Sequence, residues 1–154
     1  MPDLTLRPAT PEDADLLFAW ANDSLVRANS YHSAPVPYAR HVAWLAAKLA
    51  DPAAELWIAE EAGTPVGQVR FDASGQEAVI GVLVAPQARG RGMATRLLRQ
   101  ACAAYRAAHP GRAIHAYIKN ENEASLRAFA QAGFMFSRYV EMHGCPSQLF
   151  VYSK

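Results

Sequence analysis

The sequence predicts an α/β fold built around one mixed sheet, and three features carry that expectation. Strand-like apolar runs alternate with runs at helical spacing along the whole chain, with no internal repeat and no obvious linker. A strand–helix–strand unit spans 78–118, which makes a right-handed parallel crossover. The runs before it are short and separated by tight turns, the mark of an antiparallel meander. A length of 154 residues fits a single domain, 1–154, able to bury roughly 68–70% of its unfolded surface.

Leu4-Thr5-Leu6-Arg7 alternates apolar and polar residues as a first short strand. Thr10-Pro11-Glu12-Asp13 has the make-up of a helix start: a capping hydroxyl, proline in the first helical position and acids in the first turn. That helix should run through Leu16, Leu17 and Trp20 and stop near Asn22-Asp23. Residues 23–37 are polar and aromatic, hold two prolines, and are expected as a loop without a regular element. A second helix should cover about 38–50, with Val42, Leu45 and Leu49 on one face. Leu56 to Glu60 and Pro65 to Phe71 form a hairpin about Ala62-Gly63-Thr64, and Ser74-Gly75 marks the next turn. Ala78 to Val84 follows as a buried strand. Ala94, Leu97, Leu98, Ala101, Cys102 and Tyr105 make an apolar stripe at helical spacing, ended by His109-Pro110-Gly111. Ala113 to Ile118 is a strand, and Asn122 to Ala132 a helix closed by Gly133 in a left-handed cap. Phe134 to Met142 and Gln148 to Tyr152 are a last antiparallel pair.

Composition excludes several classes of function. A formal net charge of +1 argues against a nucleic-acid binder. No segment approaches the roughly 20 apolar residues of a membrane span, and Asp3, Arg7 and Glu12 interrupt any signal core, so a soluble cytoplasmic protein with no membrane partner is expected. Cys102 and Cys145 fit no zinc or redox spacing, and His32, His41, His109, His115 and His143 are scattered, so no metal is expected. Cys102 lies on the apolar stripe and reads as a buried thiol. Terminal strands at an uncovered sheet edge would invite a homodimer.

The most informative segment joins the run Val79 to Val84 to the helix Ala94 to Tyr105: Arg89-Gly90-Arg91-Gly92-Met93-Ala94. Free N–H groups of a first helical turn point outward and the helix dipole favours negative charge there, worth about 0.3–1 kcal/mol for each interaction. Gly90 and Gly92 let the backbone approach a phosphate with no Cβ in the way. A dinucleotide fingerprint would need glycine where Thr95 stands, and a P-loop would need Gly-Lys-Ser/Thr. Arg89, Arg91, Arg96 and Arg99 form a basic cluster that also suits a solvated helix face. The pattern Arg-x-x-Gly-x-Ala, carried by Arg89, Gly92 and Ala94, follows Val82-Leu83-Val84-Ala85-Pro86 and precedes Asn122-x-x-Ser125 and Gly133-Phe134. This combination resembles the GNAT superfamily of acetyl-CoA-dependent N-acetyltransferases.

The resemblance implies a central, mostly antiparallel twisted sheet with helices on both faces. It implies that the amides of Arg89, Gly90, Arg91, Gly92, Met93 and Ala94 hold the pyrophosphate of CoA. Val82, Leu83 and Val84 would pair with the pantetheine arm, and Asn122 and Ser125 would contact the cofactor beside it. Asn122 also fits a plain helix cap. The implied reaction is direct attack of a neutral primary amine on the acetyl thioester, with acetyl-CoA as co-substrate. The tyrosine that many relatives use as general acid is replaced by Phe129, which cannot donate a proton. Tyr139 or Tyr117 could substitute, although both also fit as ordinary strand aromatics. Where relatives often carry a basic glutamate stands Val79; Glu77 shares its face of the strand and could act through a water.

The acceptor should meet the first two helices and the loop between them. The spacing of Trp20-x-Asn22, Ser30 and His41-x-x-Trp44 resembles GNAT enzymes of bacterial nucleotide-sugar pathways, especially pseudaminic-acid synthesis. That implies a small-molecule acceptor, a nucleotide-linked amino sugar, with Trp20, Asn29, Ser30, His32 and His41 on its side. Plain packing explains the same residues. A peptide or protein N-terminal acetyltransferase and a non-catalytic CoA-binding module stay open as alternatives.

Overall fold

Turn chemistry sets the first half of the sheet. Ala62 and Gly63 both take positive φ, 52° and 81°, and close a two-residue turn between β2 (Ala54–Glu61) and β3 (Thr64–Ser74). Two left-handed residues match the right-handed twist of the flanking strands, so the hairpin closes without splaying. Gly75, φ 62°, turns β3 into β4 (Glu77–Val84), and β1 (Leu4–Pro8) pairs along the outer side of β2. The computed structural model describes residues 2–152. Its seven strands are ordered β1-β2-β3-β4-β5-β7-β6, with β5 (Ala113–Lys119), β6 (Phe134–Met142) and β7 (Cys145–Tyr152) completing the sheet. Every neighbouring pair is antiparallel except β4 and β5, which are parallel across the expected crossover.

Thr10 caps a short 3-10 turn, Pro11–Asp13, that leads into α1 (Ala14–Ala21). The Asp13 carboxylate accepts the Thr10 backbone N–H at 2.8 Å and two bonds from the Arg7 guanidinium at 2.8 and 2.9 Å. The Arg7 contact holds this nearly buried carboxyl below its usual range against the opposing cost of burial.

Residues 23–37 are not wholly irregular: Ser24–Asn29 form a six-residue helix, α2. Asp23 makes it possible by accepting the amides of Leu25 and Val26, both at 3.2 Å. The next helix, α3 (Tyr38–Ala50), has its expected bounds but not its expected face. Val42 and Leu49 are 38% and 37% exposed, whereas His41 and Leu45 are buried. The reason is charge pairing across the interface: Lys48 reaches Asp72 on β3, which turns the line of His41, Trp44, Leu45 and Lys48 toward the sheet.

On the opposite face lies α4 (Met93–Ala108), whose stripe is buried as patterned: Leu97, Leu98, Ala101, Cys102 and Tyr105 are each at most 3% exposed. Tyr105 stacks on Phe71 of β3 with centroids 4.1 Å apart. Burial of one such ring contributes roughly 1.5–3 kcal/mol. Cys102 sits fully inside, and burial pushes its thiol up to about 12. Residues of β3 therefore alternate. Val69 and Phe71 face α4, and Gln68, Arg70 and Asp72 face α3. Helix α5 (Glu123–Gln131) follows β5, and Gly133 takes φ 108° just beyond it.

Candidate active site

The parallel pairing is short, and this shapes the site. β4 and β5 are in register only at Glu77↔Ala113, Ala78↔Ile114 and Val79↔His115. β4 stays paired to β3 as far as Val84, and β5 stays paired to β7 as far as Lys119. Beyond Val79 the two strands keep their outer partners and lose each other, so the sheet forks toward the glycine turn. The edge of Ile80–Val84, containing Val82, Leu83 and Val84, is left unpaired on the β5 side. A chain of amides can be accepted there by strand addition.

At the open end of the fork, Gly90 and Gly92 take φ 80° and 69°. Gly92 is the N-cap of α4, and a Cβ at either glycine would meet no atom within 4 Å. The first amide to bond back into the turn is that of Arg96, to the Gly92 carbonyl at 3.2 Å. The amides of Met93, Ala94 and Thr95 precede the first intrahelical bond and face outward. Open space, two left-handed glycines and unpaired donors fit a diphosphate. The arginine side chains are committed elsewhere. Arg89 pairs with Asp23 at 2.5 Å, Arg91 and Arg96 share Glu61 at 3.2 and 2.8 Å, and Arg99 donates to the Gln131 carbonyl. Arg96 first and Arg91 second hold Glu61 below the usual carboxylate range. The free donors at this turn are therefore mainly backbone, and the basic cluster braces the turn against β2 and α2.

The Asn122 side-chain oxygen accepts the Ser125 amide at 3.3 Å, so it caps α5 and leaves its NH₂ group to donate. Phe129 is 4% exposed and packs edge-on to Phe134, 4.9 Å between centroids, as a core aromatic. Tyr139 is 70% exposed on β6, two strands beyond β5, and packs on Phe136; the structure does not bring it to the fork. Glu77 lies at the closed end of the fork, half-exposed, with Oε2 3.4 Å from His115 Nδ1.

The face of the sheet turned toward α3 carries Asp72 opposite Val79, Arg70 opposite Gly81, and His115, Tyr117 and Lys119 along β5. Gly81 has a packing role: a Cβ there would lie 3.0 Å from the Arg70 guanidinium, which rests across β4 and 5.8 Å from the Trp44 ring. Asp72 bonds Arg70 at 2.8 Å and Lys48 at 2.5 Å. Burial opposes its ionisation, but the two cations together hold it below its usual range. Sequence reasoning missed Arg70, Asp72, Gly81 and His115. The available signals were a glycine inside a strand and the polar alternation of Ala-Ile-His-Ala-Tyr-Ile-Lys.

Of the expected acceptor residues, Trp20 is 5% exposed in the core, and His41 is 4% exposed, stacked on Trp44 with an unpartnered Nε2. Burial holds the His41 imidazole below its ordinary range. Ser30 donates to the Val26 carbonyl at 2.6 Å and accepts from Arg27, and Asn29 is half-buried at the end of α2. Asn22 clamps Val36 through both its amide atoms. His32 is exposed, 5.1 Å from the ring of His143 in the β6–β7 turn. Tyr31 bonds Ser147 of β7 at 2.7 Å, so the α2–α3 loop lies over β5 and β7 on this face.

The model of the family described as acetyltransferase (GNAT) domain matches residues 3–135. The chain belongs to the GNAT acetyltransferases. A comparison with curated proteins finds no match. Among solved structures, the GNAT chain is similar to the aminoglycoside acetyltransferase AAC(6')-Ib in complex with coenzyme A and kanamycin: TM-score 0.83, 22% identity, 97% of this chain and 94% of that one. It is also similar to spermidine N-acetyltransferase from Vibrio cholerae in complex with CoA and spermine: TM-score 0.83, 17% identity, 96% and 92% covered. The forked sheet is thus a GNAT fold, its reaction is N-acetyl transfer, and acetyl-CoA is the co-substrate.

Proposed function

We propose that this single-domain GNAT protein acetylates a small-molecule primary amine that carries anionic groups, a nucleotide-linked amino sugar. The make-up of the acceptor-side face carries the reading. Arg70 and Lys48 stand there with Asp72 shared between them, and Lys119 of β5 donates to the Ala28 carbonyl and lies 3.8 Å from Glu121. Polycations such as spermine or kanamycin need carboxylates around their amines, whereas Arg70, Lys48 and Lys119 offer donors to a phosphate. Trp44, Tyr31 and Tyr117 supply rings for a base or sugar face. The Tyr31–Ser147 bond and the His32–His143 contact narrow the groove that an extended peptide would need.

In this reading the amides of Gly90 to Ala94 hold the diphosphate of acetyl-CoA, Val82 to Val84 pair with its pantetheine arm, and the Asn122 NH₂ with the Ser125 hydroxyl bonds nearby. Tyr117, two residues past the last β4–β5 pair, stands closer in register to the open fork than the remote Tyr139. Two free cysteines suit a reducing cytoplasm. A second copy would pair along β6, an uncovered edge that exposes Met135, Phe136 and Tyr139.

The test measures CoA thiol release with acetyl-CoA and a panel of amines: UDP-linked amino sugars, glucosamine, spermidine, kanamycin and a peptide with a free N-terminus. Release should be fastest with a UDP-linked amino sugar, and Arg70→Gln should lower kcat/KM for it at least tenfold. Peptide turnover without sugar turnover overturns the acceptor assignment. CoA binding without release to any amine marks a binding module instead.

A further inference from the structure

The reaction needs a group that takes a proton from the acceptor's ammonium at the point where the sheet forks, because an ammonium has no lone pair to attack a thioester. Four carboxylate or imidazole side chains lie on β3, β4, β5 and α3 beside this region, Asp72, Glu77, His115 and His41, together with the cations Arg70, Lys48 and Lys119 and the phenol of Tyr117. Asp72 is held by Lys48 and Arg70. His41 lies beneath the stacked Trp44 ring and is 4% exposed. Glu77 sits two residues back from the fork, directed at His115. His115 is the β5 residue in register with Val79, the last paired position before β4 and β5 separate. Its Nδ1 is buried without a hydrogen-bond partner among the described residues, and Glu77 Oε2 lies 3.4 Å away. Its Nε2 has no protein partner among the described residues, and 18% of the side chain is exposed. Tyr117 follows two residues on, on the same face.

The geometry points to His115 as the general base of acetyl transfer, with Glu77 as its positioning residue. The assignment rests on the acetyl-transfer reading above and adds the proton acceptor to it. A histidine protonated on Nδ1 keeps a lone pair on Nε2, and the Glu77 carboxylate 3.4 Å from Nδ1 favours that tautomer by its charge without bonding to it. His115 Nε2 takes one proton from the ammonium, and Glu77 faces the imidazolium so formed. The amine nitrogen then bonds to the thioester carbon and the C–S bond breaks, its electron pair going to sulfur. The nitrogen loses a second proton as the amide forms. Sulfur takes up one proton, leaving CoA as its thiol, and the other passes to water. Acid–base assistance of this kind contributes about 10²–10⁴-fold.

The test uses the full chain and the most active amine of the panel. His115→Ala should lower kcat about 10²-fold or more while KM for acetyl-CoA stays within twofold, and added imidazole should restore at least tenfold of the lost rate. His115→Gln should be equally slow, and Glu77→Gln should lose about tenfold in kcat. Retention of kcat within threefold in His115→Ala, or a loss that imidazole does not relieve in a variant with unchanged melting temperature and CoA affinity, overturns the assignment. Should His115→Ala not fold, His115→Gln decides: kcat within threefold of the parent overturns it. Absence of transfer to every amine by the unaltered chain defeats acetyl transfer itself, a result distinct from either.

Discussion

Replacing Gly92 by alanine separates the backbone cost of the glycine turn from its role in holding an anion. Gly92 has φ 69° and ψ 19° at the N-cap of α4, and a Cβ there would touch nothing within 4 Å. The folded protein therefore bears only the left-handed strain of an L residue, roughly 1–2 kcal/mol. For a chain of this size each kcal/mol shifts the melting temperature by about 2–4 °C, so a fall of about 2–8 °C is expected. Gly75→Ala is the control. Gly75 has φ 62°, equally open surroundings, and lies in the β3–β4 turn at the other end of β4. Both variants should lose similar stability by calorimetry. Only Gly92→Ala should also weaken CoA binding, at least tenfold by titration calorimetry and thus about 1.4 kcal/mol, as expected if the diphosphate occupies the open space at this turn. Equal CoA affinity in the two variants would refute the placement of the diphosphate at this turn.

Gly67→Ala should destabilise the fold with no ligand present. Its Cβ would lie 2.7 Å from both the Leu83 carbonyl oxygen and Leu97 Cδ1, so β3, β4 and α4 must separate; overpacking of this kind costs about 1–3 kcal/mol, readable by urea unfolding. Asp13 should contribute to acid unfolding. Its folded pKa lies below the unfolded value of about 3.9, so its stabilisation is present above that pH and lost as pH falls through the folded value. Asp13→Asn should melt lower than the parent at pH 7, with the difference shrinking below about pH 4; a difference independent of pH would show that the Arg7 pair does not act through the charge.

Much of the site could be read from residue order because the interactions that form it are local. A helix N-terminus exposes its amides whatever surrounds it, and two glycines close together in the chain can turn the backbone onto it, so Gly90 and Gly92 announced the open turn ahead of α4 directly. The same locality made the Ala62-Gly63 hairpin and the α4 stripe legible. The misjudged face of α3 shows where locality ends. Val42, Leu45 and Leu49 satisfy a helical stripe, yet the Lys48–Asp72 pair and the Trp44–Arg70 contact decide which side meets the sheet, and both partners come from β3. Ser30, expected on the acceptor side, likewise bonds to the Val26 carbonyl, and Asn22 of the same pattern bonds to Val36, so both brace a loop.

By itself the chain determined the element order, the parallel crossover and the glycine turn ahead of α4, since each depends on side-chain period or backbone freedom over a few neighbouring residues. Only the tertiary structure decided where the sheet forks and which groups face that fork. The separation of β4 from β5 after Val79 is a competition among strands distant in sequence: β3 holds one and β7 the other. That competition puts His115 beside Glu77 and lays Arg70 across Gly81, contacts between residues dozens of positions or a whole strand apart that no periodicity along the chain records.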